Sequence, residues 1–448
     1  MRPQFGNARL AGRPVGRAVN RDAADMSVDR AVPELRLYGW RDRAVLGVVL
    51  AAFAAGMGQF GVVAALGDVA REFGRITHGA SLADQAGLSG TVLGVGLAVI
   101  RLSSLLALPL TGLADRLGRR TMLLVTVSIG LGVTVASAAM PSYWWFVAVF
   151  ALGRPFLSAT TALAQVVAAE QTSTRDRAKA VAFVAAGYGV GAGVTAVIHS
   201  LASSSLGFRG TVALAIVPLA FVPLIAHWVT EPDRFVVAEA ARDHPMPVLG
   251  PVGPRFRTRL AVVVALAFAV SVITGPANTF VFLYAQNVRH LSGGDTAAMV
   301  VGAGAAGLGG LLLGRWLADR FGRRPTGAIG MVGIAVFAVL AYSGGSGVLV
   351  VGYVLGVLSG SVFAPAAGAL VNELFPTSVR ASVAGWWLVA GVLGASIGLV
   401  WFGAMADAGT RFGVAAVVTF LPAAVAAALF WCVPETRGRE PEDLWPSG

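Results

Sequence analysis

Long apolar stretches broken by short polar ones set the pattern of this chain. Twelve runs are each long enough to cross about 30 Å of hydrocarbon as a helix. They cover about 44–66, 87–111, 121–140, 143–168, 178–202, 210–230, 259–286, 296–316, 325–343, 347–372, 381–406 and 412–433. The pattern predicts an all-α integral membrane fold with twelve transmembrane helices, numbered here as spans 1 to 12. Several runs are rich in Gly and Ala, as in "GVGAGV" (189–194) and "GAGAAGLGG" (302–310). Small residues let membrane helices approach closely, so a packed bundle is expected. "GYGVGAG" (187–193) in span 5 reads as one such close contact.

The polar stretches carry a repeat. "LADRLGRR" (113–120) follows span 2 and "LADRFGRR" (317–324) follows span 8, with Asp115 and Asp319 204 positions apart. Glu170 and Arg177 lie seven apart after span 4, and Glu373 and Arg380 seven apart after span 10. Their offset is 203. Two charge patterns with nearly one offset imply two pseudo-symmetric six-helix halves, at 44–230 and 259–433. Residues 1–43 and 434–448 are then tails, the first of them expected to be disordered, and 231–258 is a linker.

Charge adds an orientation. Of 34 Lys and Arg, 27 fall on or beside segments that share a side with residues 1–43, 5 fall on the other side, and Arg101 and Arg154 lie inside spans. Basic loops face the cytoplasm, so the plasma membrane with both termini cytoplasmic is expected. The octapeptides share that side, called here the basic end. This placement accounts for the net charge of +11 without a nucleic-acid partner. Cys432 is the only cysteine, which excludes an intrachain disulfide. No cofactor or metal is expected. Paired catalytic carboxylates, a nucleophile motif and a phosphate-binding loop are all missing from the sequence, so it does not read as an enzyme.

"GLADRLGRR" and "LADRFGRR", set in twelve spans, resemble the major facilitator superfamily of transporters. "PETRGREPEDL" (434–444) and "NELFPTSVRA" (372–381) resemble its sugar and metabolite porters. The resemblance covers roughly 44–440. It implies alternating access around a cavity between the halves. A transporter that rocks must close and reopen one face. Asp115, Arg119 and Arg120 are expected to pair around Glu170 and Arg177. In the second half Asp319, Arg323 and Arg324 are expected to pair around Glu373 and Arg380. Together they form a cytoplasmic gate.

An ionisable residue deep in a span is costly and usually faces a cavity. Arg154, in "ALGRPFLSATTA" (151–162), resembles the fourth-helix arginine of the family, with Ser158 where glycine is usual. The resemblance implies a substrate contact or a proton relay; the other reading is a hydrogen-bond hub for carbonyls freed by Pro155. Arg101 reads equally as a cavity residue or one that snorkels. Gln59, Tyr188, Asn278, Thr279, Tyr284 and Gln286 are further candidates to line the cavity. "GPANTFVFLYAQ" (275–286) is expected to interrupt span 7. Trp386 or Trp387 fits an aromatic belt, and His199 an interfacial position. Proton-coupled relatives carry a carboxylate in span 1 where this chain has Gln59, so a coupling proton is a candidate partner only. The expected partners are the bilayer and a small-molecule substrate, and the expected oligomeric state is a monomer. The expected function is secondary active transport of a small polar or anionic metabolite, with uptake by symport leading and export of drugs or metabolites as the alternative.

Overall fold

Hydrocarbon offers the backbone no hydrogen-bond partners, so each apolar run must satisfy its own N–H and C=O groups as a helix. The computed structural model describes residues 37–76, 82–233, 249–408, 412–439 and 445. Most of the expected N-terminal tail therefore lies outside the described residues. Eleven described helices are long and apolar enough to cross a membrane. They include span 1, Arg43–Ala64, span 2, Gly90–Leu117, span 3, Arg119–Ser137, and span 4, Tyr143–Gln171. Spans 7 to 12 begin at Pro254, Gly293, Arg323, Ser346, Ser378 and Phe412.

The remaining span is number 6, which lacks a continuous helix. Spans 5 and 6 run together as Thr174–Ala213, with breaks at Ala202 and at Gly207, whose φ is +54°. Span 6 then continues as the short helices Ile216–Ala220 and Val222–Trp228. Pro218 and Pro223 lie in these pieces, and each removes a backbone donor. With span 6 included, the chain has the twelve-span, two-half fold expected from its pattern.

Side-chain caps fix several helix starts. Asp42 accepts from Ala44 N at 3.0 Å to open span 1. Ser89 accepts from Val92 N at 3.2 Å and Ser292 from Asp295 N at 3.1 Å, opening spans 2 and 8 at equivalent places. Span 2 is irregular in its middle. Its helix Gly90–Ser103 passes through a 3-10 turn, Ser104–Leu106, into Ala107–Leu117.

Small residues set the packing of span 1 on span 5. A Cβ on Gly56 would fall on the Tyr188 carbonyl, and one on Gly191 on the Phe53 carbonyl. Span 7 differs from expectation. Its helix Arg257–Leu283 runs unbroken through Pro276 and ends in a π turn, Tyr284–Val288. The Tyr342 hydroxyl, from span 9, donates to the Ala277 carbonyl at 3.1 Å beside the proline. Neighbouring helices thus hold the backbone regular where the Gly-Pro pair alone suggests a break.

Candidate functional site

At the basic end, Gly118 and Gly322 turn the chain between spans 2 and 3 and between spans 8 and 9. Their φ values of +95° and +114° suit glycine. The next residues open new helices. Arg119 pairs with Asp115 at 2.5 Å and Glu170 at 3.3 Å, and Arg323 with Asp319 at 3.2 Å and Glu373 at 3.3 Å. Each of the four ion pairs stays within its own half.

Two carboxylates complete these clusters. Glu231 accepts from Arg119 N at 2.5 Å and Arg120 N at 3.0 Å. Glu435 accepts from Arg323 N at 2.8 Å and Arg324 N at 3.0 Å. Each anion sits on a helix N-terminus, where the free N–H groups and the helix dipole favour it. The sequence reading placed both in a linker or a tail. The distance from Glu231 to Glu435, 204 positions, is the octapeptide offset and would have found them. Burial pushes the Glu435 carboxyl up, but backbone donors of Arg323, Arg324, Arg437 and Thr436 outweigh it and hold it below its ordinary value.

Three expected gate arginines, with Arg177, lie elsewhere. Arg120 donates from Nε to the Val229 carbonyl and from Nη2 to the Ala226 carbonyl, both at 2.8 Å. Arg324 donates to the Trp431 carbonyl at 3.1 Å. One residue past Arg119 or Arg323 is about 100° round the helix, so these side chains reach the ends of spans 6 and 12. Arg380 donates to the Phe375 carbonyl at 3.0 Å. Arg177 has a buried Nε with no hydrogen-bond partner and joins no ion pair among the described residues.

Arg154 lies eleven residues into span 4, about 16 Å along the helix at 1.5 Å per residue. It is 8% exposed, and its Nε has no hydrogen-bond partner. It donates to no carbonyl near Pro155 among the described residues, which disfavours the hub reading. Tyr188 and Arg101 are close enough to act on it electrostatically. The Tyr188 hydroxyl donates to the Gln59 Oε1 at 3.3 Å, and the Gln59 amide donates to the Thr161 hydroxyl at 3.4 Å. Spans 1, 2, 4 and 5 thus bring Gln59, Arg101, Arg154 and Tyr188 to one polar region of the first half.

The second half contributes less polarity. Asn278 is exposed and lines a cavity of about 270 Å³ with Thr274, Tyr353 and Ser361. A second cavity of about 500 Å³ shares Thr274 and reaches Asn372 and Trp387, while Trp386 is exposed. The Thr279 hydroxyl is buried and donates to the Gly275 carbonyl at 2.7 Å. The Tyr284 hydroxyl donates to the Tyr342 carbonyl at 3.1 Å and accepts from Arg289 Nε at 2.7 Å. Thr279 and Tyr284 are therefore tied within the helices rather than turned to a cavity.

Among the described residues, the hydrogen bonds between the halves lie away from the basic end. The Asp407 carboxylate, at the end of span 11, accepts from Gly90 N, Thr91 N and the Thr91 hydroxyl at 2.6, 2.7 and 2.6 Å. His199, near the end of span 5, is fully buried. Its Nδ1 lies 2.8 Å from the Thr211 hydroxyl and its Nε2 3.7 Å from Asp68. With its amide oxygen turned toward Arg71, Asn287 accepts from the Arg71 Nε at 3.0 Å. Asp407 and Asn287 end long apolar helices, and no periodicity in the sequence marks them as partners across the halves.

A family model described as Major Facilitator Superfamily matches residues 48–317 and 305–444. The chain is 28% identical to a probable 4-methylmuconolactone transporter of Cupriavidus pinatubonensis, over 74% of this chain and 79% of that one. It is 26% identical to a gallate transporter of Pseudomonas putida, over 78% and 84%. Its fold is similar to the inward open conformation of the xylose transporter XylE from E. coli, with a TM-score of 0.69 at 18% identity over 90% of this chain and 99% of that one. Twelve spans, a duplicated charged octapeptide and a buried polar centre agree with that match: the chain belongs to the Major Facilitator Superfamily, and is a membrane transporter rather than an enzyme.

Proposed function

We propose that the protein imports a small carboxylate across the plasma membrane by alternating access, with both termini and the basic end in the cytoplasm. The observation that carries this reading is Arg154. A guanidinium held at mid-depth without a hydrogen-bond partner is costly. A carboxylate substrate supplies two acceptor oxygens in the geometry that guanidinium favours. Gallate, the substrate in one relative's name, is a carboxylate. Gln59 and Tyr188 then add neutral polar contacts from the first half, and Asn278 adds one from the second. The inter-half contacts around Asp407 and Asn287 support an inward-facing state, as does the likeness to an inward open structure.

The braces at Arg119 and Arg323 serve as the cytoplasmic gate by holding the ends of each half as rigid units. A proton is the proposed coupling ion, and Asp68 with His199 is where it has titratable groups to bind. The protein acts as a monomer.

The test is uptake of radiolabelled gallate into proteoliposomes with an imposed pH gradient. Wild type accumulates the label. Arg154→Lys keeps the charge but loses the bidentate geometry, and its affinity falls about a hundredfold, on the order of 3 kcal/mol. Equal uptake by wild type and Arg154→Lys would make Arg154 structural and defeat the carboxylate reading. Loss of label from preloaded vesicles under the same gradient would instead mark an exporter.

A further inference from the structure

We infer that the transported anion carries two carboxylates, and that Arg101 holds the second while Arg154 holds the first. The inference rests on the carboxylate reading and narrows it.

Arg101 is eleven residues from the start of span 2 at Gly90, and Arg154 eleven from the start of span 4 at Tyr143. The two starts are tied together. The Tyr143 hydroxyl donates to the Val92 carbonyl at 3.1 Å and lies 3.4 Å from that of Leu93. Equal lengths of helix from tied ends place both guanidiniums in one layer at mid-depth. Arg101 is close enough for its charge to act on Arg154.

Neither guanidinium has an acidic partner in the described structure. The ion pairs of the described residues involve other arginines, and the Arg154 Nε is buried and unpartnered. Two like charges in one low-dielectric layer repel each other, and nearby negative charge relieves that repulsion. A single carboxylate neutralises one arginine. A dianion neutralises both, and its two ends suit two planar donor forks better than one.

Arg101 lies on the face of span 2 that meets the second half. Gly94, Ala98 and Arg101 follow at i, i+4 and i+7 on one face of span 2. A Cβ on Gly94 would meet the Leu399 carbonyl, and the Ala98 carbonyl accepts from the Ser396 hydroxyl at 3.5 Å. That face looks onto span 11, across the boundary between the halves. Directly after Arg101 the helix tightens into the 3-10 turn Ser104–Leu106, and the Ser104 hydroxyl donates to the Arg101 carbonyl at 2.5 Å. Such a mid-helix irregularity often accompanies a functional position.

The experiment measures binding to purified full-length protein by isothermal titration calorimetry, with two matched pairs of probes. Terephthalate is compared with benzoate, and adipate with hexanoate. Wild type is expected to bind each dicarboxylate at least about tenfold more tightly than its partner. Arg101→Gln should lower the affinity for each dicarboxylate more than that for its monocarboxylate partner, and so erase the preference. Arg101→Lys should recover part of it. Equal or tighter binding of the monocarboxylates by wild type overturns the inference. So does an Arg101→Gln protein that loses both members of each pair alike. Binding of none of the four probes, with wild type folded by its melting transition, removes the carboxylate reading itself and this inference with it.

Discussion

Glu231 and Glu435 do the same task with different neighbours in sequence, "TEPDR" in one half and "PETRG" in the other. Each carboxylate spans two adjacent backbone N–H groups at the start of a helix. Replacing such a cap costs about 1 kcal/mol. Glu435→Gln should therefore lower the melting temperature of the detergent-solubilised protein at pH 7. The sign of the pH dependence follows from its depressed carboxyl. Its stabilisation is present above the unfolded value near 4.3 and is lost as pH falls through the folded value. The gap between wild type and Glu435→Gln should thus narrow below about pH 4, and a gap that widens in acid contradicts the cap. The arginines show how far such detail is legible in sequence. Repetition marked Arg119 and Arg120 together as charged and important. It could not divide them, because the choice between a carboxylate and a carbonyl depends on where span 6 ends. Arg154 was legible because a charge inside an apolar run stands out whatever surrounds it. Thr279 and Tyr284 were misplaced because the sequence does not say which side of a helix faces its neighbours.

Helices are joined in fours by these clusters. In the first half one brace ties the ends of spans 2, 3, 4 and 6, and in the second its copy ties spans 8, 9, 10 and 12. The copies differ in exposure, since the Asp115 side chain is 26% exposed and that of Asp319 59%. An exposed ion pair contributes little. Asp115→Asn should therefore slow transport several-fold with normal membrane insertion, and Asp319→Asn should slow it less. Normal rates in both, measured in the same vesicles, would remove the brace from the transport cycle. At the other end the start of span 2 hangs on Asp407. Asp407→Asn weakens charge-assisted bonds across the halves and should favour opening there. Spin labels at Ser204 and Asp295 should report longer distances in that variant, and an unchanged distribution would show that the latch is not limiting. The pattern of apolar runs predicted these helices well, span by span. It failed at span 7, where neighbours keep the helix regular through Pro276, and it could not foresee that spans 5 and 6 run together around Gly207.

The whole molecule takes its orientation from charge, a reading that a labelling experiment can check. A cysteine at Ser292 in a Cys432→Ser background should react with an impermeant maleimide on intact cells, and one at Ser173 only after lysis. The reverse pattern would invert the proposed topology. Two-fold likeness was legible from the octapeptides alone, because charged loops repeat visibly where apolar spans do not. What the repeat hid is a difference in length. Span 2 has 28 residues and span 8 has 29. The 3-10 turn in span 2 makes up the shortfall, since three residues at about 2.0 Å rather than 1.5 Å add roughly the rise of one. The compensation in length is not a compensation in phase. One lost residue removes about 100° of screw, and three residues at about 120° restore only about 60°. The first stretch of span 2 is thus turned by roughly 40° relative to its copy in span 8. Two halves made from one plan therefore meet along unlike seams, and the molecule has a built-in handedness between them: the side that carries Arg101 and Asp407 opens against a different set of contacts from its twin.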